Sequence, residues 1–527
     1  MKRLSPTAAV LLAALALAAA SVTAVGASDE KTKARAERAT REGEYEAAEK
    51  IYRELLTKDP RDSAARLGLS RALLKQRKNL EAYDHAARVV AREPESARAH
   101  ALLGAALLGS GDFRLSVEEF RTALSFNDGE AIAIGGLAMV DFYENRISQS
   151  LAGLRRAAFI DPNEPDYIFN LGQVAARNER YKEAADAYET FLRIAPKTDA
   201  DRRARIRGLI DFLRYLGQQG SLLSVGGPDS VNVPFEIVNS RPVVSVRVNG
   251  SPKAMRFVVD TGAGMCVISD EAAERMGIKS VARGGLARAV GGEGRFEIVY
   301  GFLQSLNVGD AKVERVPVYI RRFYNEQEPV DGYIGLSVLG KYTTVVDYGG
   351  KQMVLLRDDA AKRAAAVAPP AGSIEVPIRT TSSGFWSGEV SFEGLERPAQ
   401  FIIDTGASIS VVSKALAERA GFDRFAQSGY IKVYGAAGLA DNIQTVLLPH
   451  FALGPQTWQN VYAAVLDMEP INETAGFEQT GIVGGNILRR YRVTFDFTRG
   501  VIRLDPDPRV TPQEDLRGKP AVVSGGS

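Results

Sequence analysis

Apolar residues recur every three or four positions through most of the first two hundred residues, as at Leu103, Ala106 and Leu107. This spacing places them on one face of an amphipathic helix. After about residue 220 the pattern changes, and short runs rich in Val, Ile and Phe alternate with glycine-rich turns. Such runs are typical of short strands. The sequence therefore predicts a helical first half and a β-rich second half.

A period of 34 residues runs through the helical half, as the spacing of its prolines shows. One position of the period holds proline in every repeat but one, where Asp128 takes its place. Two further positions of the period hold small residues. Proline after a helix end stops the helix, and small residues let two helices approach closely. The three sets are Pro60, Pro94, Pro162 and Pro196, then Ser70, Gly104, Ala138 and Gly172, and finally Ala48, Ala82, Ser116, Ser150 and Ala184.

This register resembles the tetratricopeptide repeat family, with five units over about residues 33–199. The resemblance implies an all-α solenoid, and we place the helical repeat domain at residues 33–215. Stacked repeats commonly present a curved surface to a peptide or a partner protein. We therefore expect a protein-binding scaffold that carries no catalytic group.

The β-rich half contains two copies of one segment. Residues 257–263 read Phe-Val-Val-Asp-Thr-Gly-Ala, and residues 401–407 read Phe-Ile-Ile-Asp-Thr-Gly-Ala. The same offset of 144 residues relates Ser269 to Ser413, and each of these serines precedes a predicted short helix that ends at glycine. The β-rich half is therefore predicted to be a duplicated lobe.

The duplication predicts lobes at residues 231–357 and 374–505. Residues 358–373 are rich in Ala, Pro and Gly and are predicted to be a linker, and residues 506–527 are predicted to be a flexible carboxy-terminal tail. A tether of this length favours pairing of the two lobes within one chain. We therefore expect a single site formed within a monomer.

Asp260 and Asp404 each follow a fully apolar run and precede Thr-Gly. A buried carboxylate costs several kcal/mol unless it is paired or hydrogen-bonded. Two aspartates in the same apolar frame therefore indicate chemistry rather than a turn cap. Asp260 and Asp404 are the predicted catalytic residues.

The frame resembles the retropepsin-like branch of the aspartic proteases, through the alanine after Asp-Thr-Gly and the later Gly-apolar-apolar-Gly segments at residues 332–335 and 481–484. The resemblance covers nearly all of residues 231–505 and implies an all-β double lobe of acid-protease barrels behind the repeats. In that family each lobe supplies one aspartate, and the pair activates a water that attacks a peptide carbonyl. The predicted activity is that of an aspartic endopeptidase.

The resemblance also implies supporting roles in the two aspartate loops. The threonine hydroxyls are expected to bond across the axis between the lobes, and glycine lets backbone N–H groups approach the carboxylates. The family often has Asp or Ser after Asp-Thr-Gly-Ala, a position that holds Ser408 in the second lobe but Gly264 in the first. The two half-sites are therefore expected to differ. The predicted supporting residues are Thr261, Gly262, Ala263, Thr405, Gly406, Ala407 and Ser408.

A flap is expected to close over the substrate. By position it is predicted at the glycine-rich hairpins near Gly291–Gly294 and Gly435–Gly438, for which an ordinary turn is the alternative. For the whole chain the alternatives are a catalytically silent peptide-binding or adaptor protein of the cell envelope and a purely structural barrel. Asp-Thr-Gly in both lobes favours the protease, because a binding protein has no need to bury two like charges.

The net charge, the histidines and the one cysteine limit the kinds of binding and catalytic site that the chain can form. The net charge is +2, from 66 basic and 64 acidic residues, which gives no support for nucleic-acid binding. The histidines, His85, His100 and His450, are too scattered for a metal site or a Ser-His-Asp triad, and no phosphate-loop motif occurs. We therefore expect no metal and no cofactor. Cys266, the one cysteine, lies in an apolar run and is predicted to be a buried small hydrophobe.

Residues 1–27 have the pattern of a signal peptide. Lys2 and Arg3 precede an apolar run at residues 8–20, and small residues follow at 25–27. The run is shorter than the ~20 residues that a membrane span needs. We therefore expect cleavage, no integral span in the mature chain, and a periplasmic or secreted location in a bacterial cell envelope.

Overall fold

The computed structural model describes residues 29–290, 294–324, 329–510 and 520–523. The predicted signal peptide, residues 1–27, lies outside these ranges. In the described residues no helix is both long and apolar enough to cross a membrane. The helical part comprises α1–α11 at 29–42, Tyr45–Lys58, Ser63–Lys75, Asn79–Val90, Ala97–Gly109, Phe113–Phe126, Ala131–Tyr143, Ile147–Ile160, Pro165–Arg177, Tyr181–Ile194 and Ala200–Leu216.

The helices α1–α10 form five consecutive pairs, which confirms the predicted repeat solenoid. The small residues of the 34-residue period lie where the helices of a pair meet. A Cβ at Gly104 would lie 2.7 Å from the ring of Phe120 on the next helix, so a larger residue would push the pair apart. Ser116 and Ser150, one period apart, are fully buried. The small residues of the 34-residue period thus mark the positions where neighbouring helices are in close contact.

The chain divides into two compact units, and their boundary falls inside α7. One unit holds the residues up to Leu137 together with Ala195–Asp199. The other holds Ala138–Ile194 together with the residues from Ala200 onward. The end of α7 and helices α8–α11 therefore belong to the same compact unit as the β-rich part, whereas the predicted repeat domain ended at residue 215.

The β-rich part forms two sets of strands. The first set, β1–β11, spans Ser224–Gly226, Ser230–Val238, Arg241–Val248, Met255–Val259, Cys266–Ser269, Ala282–Arg288, Arg295–Val308, Ala311–Arg321, Gly332–Ile334, Thr343–Asp347 and Gln352–Leu356. The second set, β12–β22, spans Ile374–Thr380, Trp386–Ser391, Ala399–Ile403, Ser410–Ser413, Ala426–Gly435, Gly438–Leu453, Gln456–Leu466, Gly481–Val483, Tyr491–Asp496, Val501–Pro506 and Ala521–Val522. Short helices α12–α17 lie at Asp270–Arg275, Leu336–Leu339, Asp358–Ala365, Lys414–Ala420, Glu469–Ala475 and Gly485–Leu488.

The two lobes have the same topology, which confirms the predicted double lobe. In the first lobe β4 runs parallel to β9, and β5 runs parallel to β8. In the second lobe β14 runs parallel to β19, and β15 runs parallel to β18. The predicted short helices are α12 and α15, and the side chains of Ser269 and Ser413 cap their first turns. Both helices are followed by a glycine with positive φ, Gly277 and Gly421.

One sheet is shared by both lobes. Its strands lie in the order β2, β11, β10, β20, β21 and β12, and the antiparallel pair β10–β20 joins the lobes at Val346 and Val493. Both of these valines are fully buried, in a core to which both lobes contribute. The lobes are therefore joined by backbone hydrogen bonds as well as by the chain between them.

Helix α11 packs on the first lobe. The ring of Phe212 stacks on that of Tyr300 in β7, with centroids 4.2 Å apart. The Arg205 guanidinium donates to the carbonyl oxygen of Leu286 in β6 at 2.9 Å. At the end of α7, the ring of Tyr143 meets that of Phe477 in the second lobe edge-on, with centroids 5.0 Å apart. Helix α11 thus contacts the first lobe, and the end of α7 contacts the second.

Two predicted irregular segments contain regular structure. The predicted linker, residues 358–373, begins with helix α14, whose Ala360 is buried against Val345. Acidic residues in its first turn and basic residues in its last turn explain why an alanine-rich stretch is helical here. The predicted flexible tail, residues 506–527, contains strand β22, whose apolar side chains are buried in the second lobe.

Candidate active site

Asp260 lies in the loop that follows β4 and is 1% exposed. Its backbone N–H donates to the carbonyl oxygen of Ile334 at 3.0 Å, which fixes the loop against strand β9. The N–H of Gly262 donates to Asp260 Oδ1 at 2.8 Å. The first predicted carboxylate is thus buried and hydrogen-bonded, as a retained charge requires.

Asp404 occupies the equivalent place after β14 and is fully buried. Its N–H donates to the carbonyl oxygen of Val483 in β19 at 3.0 Å. Asp404 Oδ1 accepts from the N–H groups of Gly406 at 2.7 Å and Ala407 at 3.1 Å. The second carboxylate is thus also buried and hydrogen-bonded.

The two loops meet. A Cβ at Gly262 would lie 2.3 Å from Asp404 Cγ, so only glycine lets the first loop pass this close to the second carboxylate. The structure therefore brings Asp260, Gly262 and Asp404 into one site. Two carboxylates that share a buried site disfavour each other's ionised form.

Thr261 and Thr405 interlock the loops. Thr261 Oγ1 donates to the carbonyl oxygen of Ile403 at 2.7 Å, and Thr405 Oγ1 donates to that of Val259 at 2.6 Å. Each hydroxyl also accepts from the N–H of the other threonine, at 3.0 and 3.1 Å. Ala263 and Ala407, the next predicted loop residues with side chains, are buried beneath the loops.

Comparisons with known proteins identify both parts of the chain. A family model described as aspartyl protease matches residues 244–338 and 388–487, and two tetratricopeptide repeat models match residues 39–106 and 136–198. The chain joins tetratricopeptide repeats to a two-part, retropepsin-like protease region.

Individual relatives cover one part or the other. Anaphase-promoting complex subunit 3 of Schizosaccharomyces pombe is 28% identical over 163 residues, which are 30% of this chain and only 24% of that relative. A thermophilic tetratricopeptide repeat protein of Thermus thermophilus is 22% identical, covers 34% of this chain and 98% of its own, and has a TM-score of 0.30. An aspartic proteinase from Irpex lacteus is 15% identical, covers 54% of this chain and 98% of its own, and has a TM-score of 0.36.

Two hairpins of the protease region touch each other. The first is formed by β6 and β7, the second by β16 and β17. The N–H of Ala437, in the second turn, donates to the carbonyl oxygen of Val290, beside the first turn, at 3.0 Å. Residues 291–293 of the predicted first flap lie outside the described residues. The remaining flap residues lie in hairpins, at the predicted positions.

Ser408 and Gly264 make the two half-sites different. The N–H of Ser408 donates to the carbonyl oxygen of Val522 at 2.9 Å, and Ser408 Oγ accepts from the N–H of Val522 at 2.8 Å. In the first lobe, a Cβ at Gly264 would lie 2.5 Å from the carbonyl oxygen of Ser383. A loop of the second lobe therefore fills the space that a side chain at Gly264 would need.

Arg321 is a residue of the protease region that the sequence did not single out. It ends β8, and its guanidinium lies 5.8 Å from the ring centroids of Phe323 and Tyr333. Burial lowers the pKa of Arg321, while the negative charge of Asp260 opposes that shift. Arginine keeps its charge in proteins. Arg321 therefore gives the first-lobe side of the site a fixed positive charge that only the folded structure reveals.

Proposed function

We propose that this protein is an aspartic endopeptidase that cuts polypeptides with Asp260 and Asp404. The observation that supports this most is that two buried aspartates, from duplicated loops, share one site in which each accepts backbone hydrogen bonds. A protein that only bound peptides would gain nothing from burying two like charges together. The aspartyl protease match over both lobes agrees with this proposal.

The mechanism needs only the two carboxyl groups and a water. The ionised carboxylate takes a proton from the water, and the water oxygen forms a bond to the carbonyl carbon of the peptide. The protonated carboxyl group donates its proton to the carbonyl oxygen, which gives a neutral tetrahedral diol. When the C–N bond then breaks, the protonated carboxyl group gives its proton to the leaving nitrogen. The ionised carboxylate takes a proton from one diol hydroxyl, whose oxygen becomes the carbonyl oxygen of the new carboxyl end, so the pair again holds one proton.

The remaining parts of the chain have roles in this proposal. The two hairpins hold the substrate over Asp260 and Asp404 and exclude water. The repeats bind a protein, either the substrate or a partner, on their curved surface. Residues 1–27 direct export to the periplasm or the exterior and are removed, and both lobes of a single chain form the site.

Asparagine substitutions test the proposal. Asp260→Asn and Asp404→Asn should each lower cleavage of a peptide library by at least about 100-fold, because neither carboxylate has a substitute. Asp270→Asn, at an exposed position in α12, is the matched control and should leave cleavage unchanged. Full activity in either of the first two variants would exclude the carboxylate pair.

A mixing experiment tests whether the site forms within one chain. The Asp260→Asn and Asp404→Asn chains are combined, and cleavage should not return, because no chain then holds both carboxyl groups. Activity of the unaltered protein should be bell-shaped in pH and stronger on the acid side, since only the singly protonated pair works. A folded protein that binds peptides but cuts none at any pH would instead be the silent adaptor.

A further inference from the structure

The carboxy-terminal segment Pro520–Val523 lies in the protease region as an added strand. Strand β22 runs parallel to β16 of the second hairpin, with Ala521 opposite Val433 and Val522 opposite Tyr434. The N–H of Val523 donates to the carbonyl oxygen of Tyr434 at 2.9 Å. One edge of the segment is thus bonded to the hairpin.

The other edge of the segment is bonded to the second aspartate loop. Ser408, four residues after Asp404, donates its N–H to the carbonyl oxygen of Val522 and accepts the N–H of Val522 on Oγ. Ser408 Oγ also lies 3.2 Å from the carbonyl oxygen of Val522. Bonds to backbone atoms hold an extended chain whatever its side chains are.

The side chains of Ala521, Val522 and Val523 are all buried. Ala521 and Val523 are each 1% exposed and lie in the apolar cluster that includes Val290, Phe385 and Ala407. Val290 belongs to the first hairpin and Ala407 to the second aspartate loop. The segment therefore fills a groove between both hairpins and that loop, in pockets suited to small and branched aliphatic residues.

The first lobe differs at the position equivalent to Ser408. Gly264 stands where the second lobe has Ser408, so it has no hydroxyl, and the carbonyl of Ser383 lies against it. Among the described strands, β22 has no counterpart in the first lobe. Recognition of the peptide backbone by a serine hydroxyl at this position is thus confined to the second lobe.

We propose that Pro520–Val523 occupies the groove between Ser408 and β16 as a competitor within the same chain, in the place of an extended substrate strand with small or branched aliphatic residues. The substrate part rests on the proposed peptidase function, whereas the peptide-binding part does not. A tethered segment has an effective concentration of the order of millimolar, so it competes well even with weak intrinsic affinity.

A binding assay without catalysis tests the groove itself. The chain is truncated after Lys519 and carries Asp404→Asn, and the probe is a fluorescent peptide of residues 518–527. Anisotropy should show saturable binding that the unlabelled peptide reverses. The matched control peptide carries Val522→Pro, which removes the N–H that Ser408 accepts, and it should bind at least tenfold more weakly. The untruncated Asp404→Asn chain should bind the probe at least tenfold more weakly than the truncated chain.

Equal binding to truncated and untruncated chains, or no preference over the Val522→Pro peptide, would overturn the inference. If truncation prevents folding, the full-length chain with Val523→Asp replaces it, because a charge in the apolar cluster expels the segment and frees the groove. That chain, which also carries Asp404→Asn, should bind the probe at least tenfold more tightly than the untruncated Asp404→Asn chain. If a folded Val523→Asp chain does not bind the probe, the inference is also wrong.

A cleavage assay separates this inference from the proposed function. Truncation after Lys519 in the chain with both aspartates should raise kcat/KM at least tenfold, mainly through KM, because substrate no longer competes with the segment. Specific peptide binding without any cleavage would leave the groove proposal standing and remove the peptidase. If truncation leaves cleavage unchanged and the peptide does not bind, the groove proposal fails and the peptidase proposal stands.

Discussion

Thr261 and Thr405 hold each other's loop by matching hydrogen bonds. Each hydroxyl donates to the carbonyl that precedes the aspartate of the other lobe and accepts from the N–H of the other threonine. Both residues are fully buried, so no water replaces a bond that is lost. The position of each carboxylate thus depends on the opposite lobe.

Replacement of Thr405 by valine should separate positioning from chemistry. Thr405→Val keeps the shape but leaves the carbonyl of Val259 and the N–H of Thr261 unpaired, which should lower the free energy of unfolding by about 2 kcal/mol or more. Urea unfolding measures this change, and cleavage should fall with it. Thr405→Ser retains the hydroxyl and should restore most of both quantities. A Thr405→Val chain as stable and active as its parent would show that the interlock is dispensable.

The contact between Phe212 and Tyr300 predicts that α11 stabilises the first hairpin. Phe212→Ala removes a buried ring and should cost about 3 kcal/mol, and amides of β7 should exchange faster with deuterium. Phe159→Ala is the control, because Phe159 in α8 is 87% exposed. Unchanged exchange in β7 after Phe212→Ala would mean that the hairpin is held by the lobe alone.

Glu49 predicts an acid-sensitive step in the repeats. Burial alone would raise its pKa, but hydrogen bonds from Lys78, Gln76 and Arg53 outweigh burial and lower the pKa from 4.5 to about 2. A lowered pKa stabilises the fold fully above the unfolded value, and the stabilisation is lost as the pH falls towards 2. The contribution should be of the order of 2 kcal/mol at neutral pH.

Urea unfolding followed by circular dichroism at several pH values measures this loss of stability. Glu49→Gln should lower the stability of the repeats at neutral pH and flatten its dependence on pH between about 5 and 2. Glu46→Gln, at an exposed position of the same helix, is the control. If Glu46→Gln and Glu49→Gln behave alike, the hydrogen bonds to Glu49 contribute nothing specific.

Cys266 should be inert in the folded protein. Burial raises the pKa of its thiol to about 11, and the N–H of Gly335 lies 3.3 Å from Sγ. Reagents that alkylate thiols should therefore not modify the native chain at about pH 8, where little thiolate forms, but should modify it fully in denaturant. Rapid modification of the native chain would show that this part of the lobe opens.

Patterns that repeat within the chain were visible in the sequence. The 34-residue period marks positions such as Gly104 because every repeat has the same helix contact, and the aspartates stand out because Asp260 and Asp404 share one frame. Features that occur once had no such signal. The stacking of Phe212 on Tyr300 and the bonding of Val522 to Ser408 join residues distant in sequence, and neither composition nor periodicity distinguishes them from ordinary surface contacts.

The sheet shared by the lobes has a consequence for the behaviour of the protein at low concentration. Strands β10 and β20 cover each other's edges along Thr344–Asp347 and Arg492–Phe495. An uncovered strand edge is a template for aggregation. Proteins assembled from two separate single-lobe chains expose such an edge whenever they dissociate. Because both lobes here belong to one polypeptide, dilution does not part them. The duplication therefore protects the protein from self-association through this strand edge at low concentration.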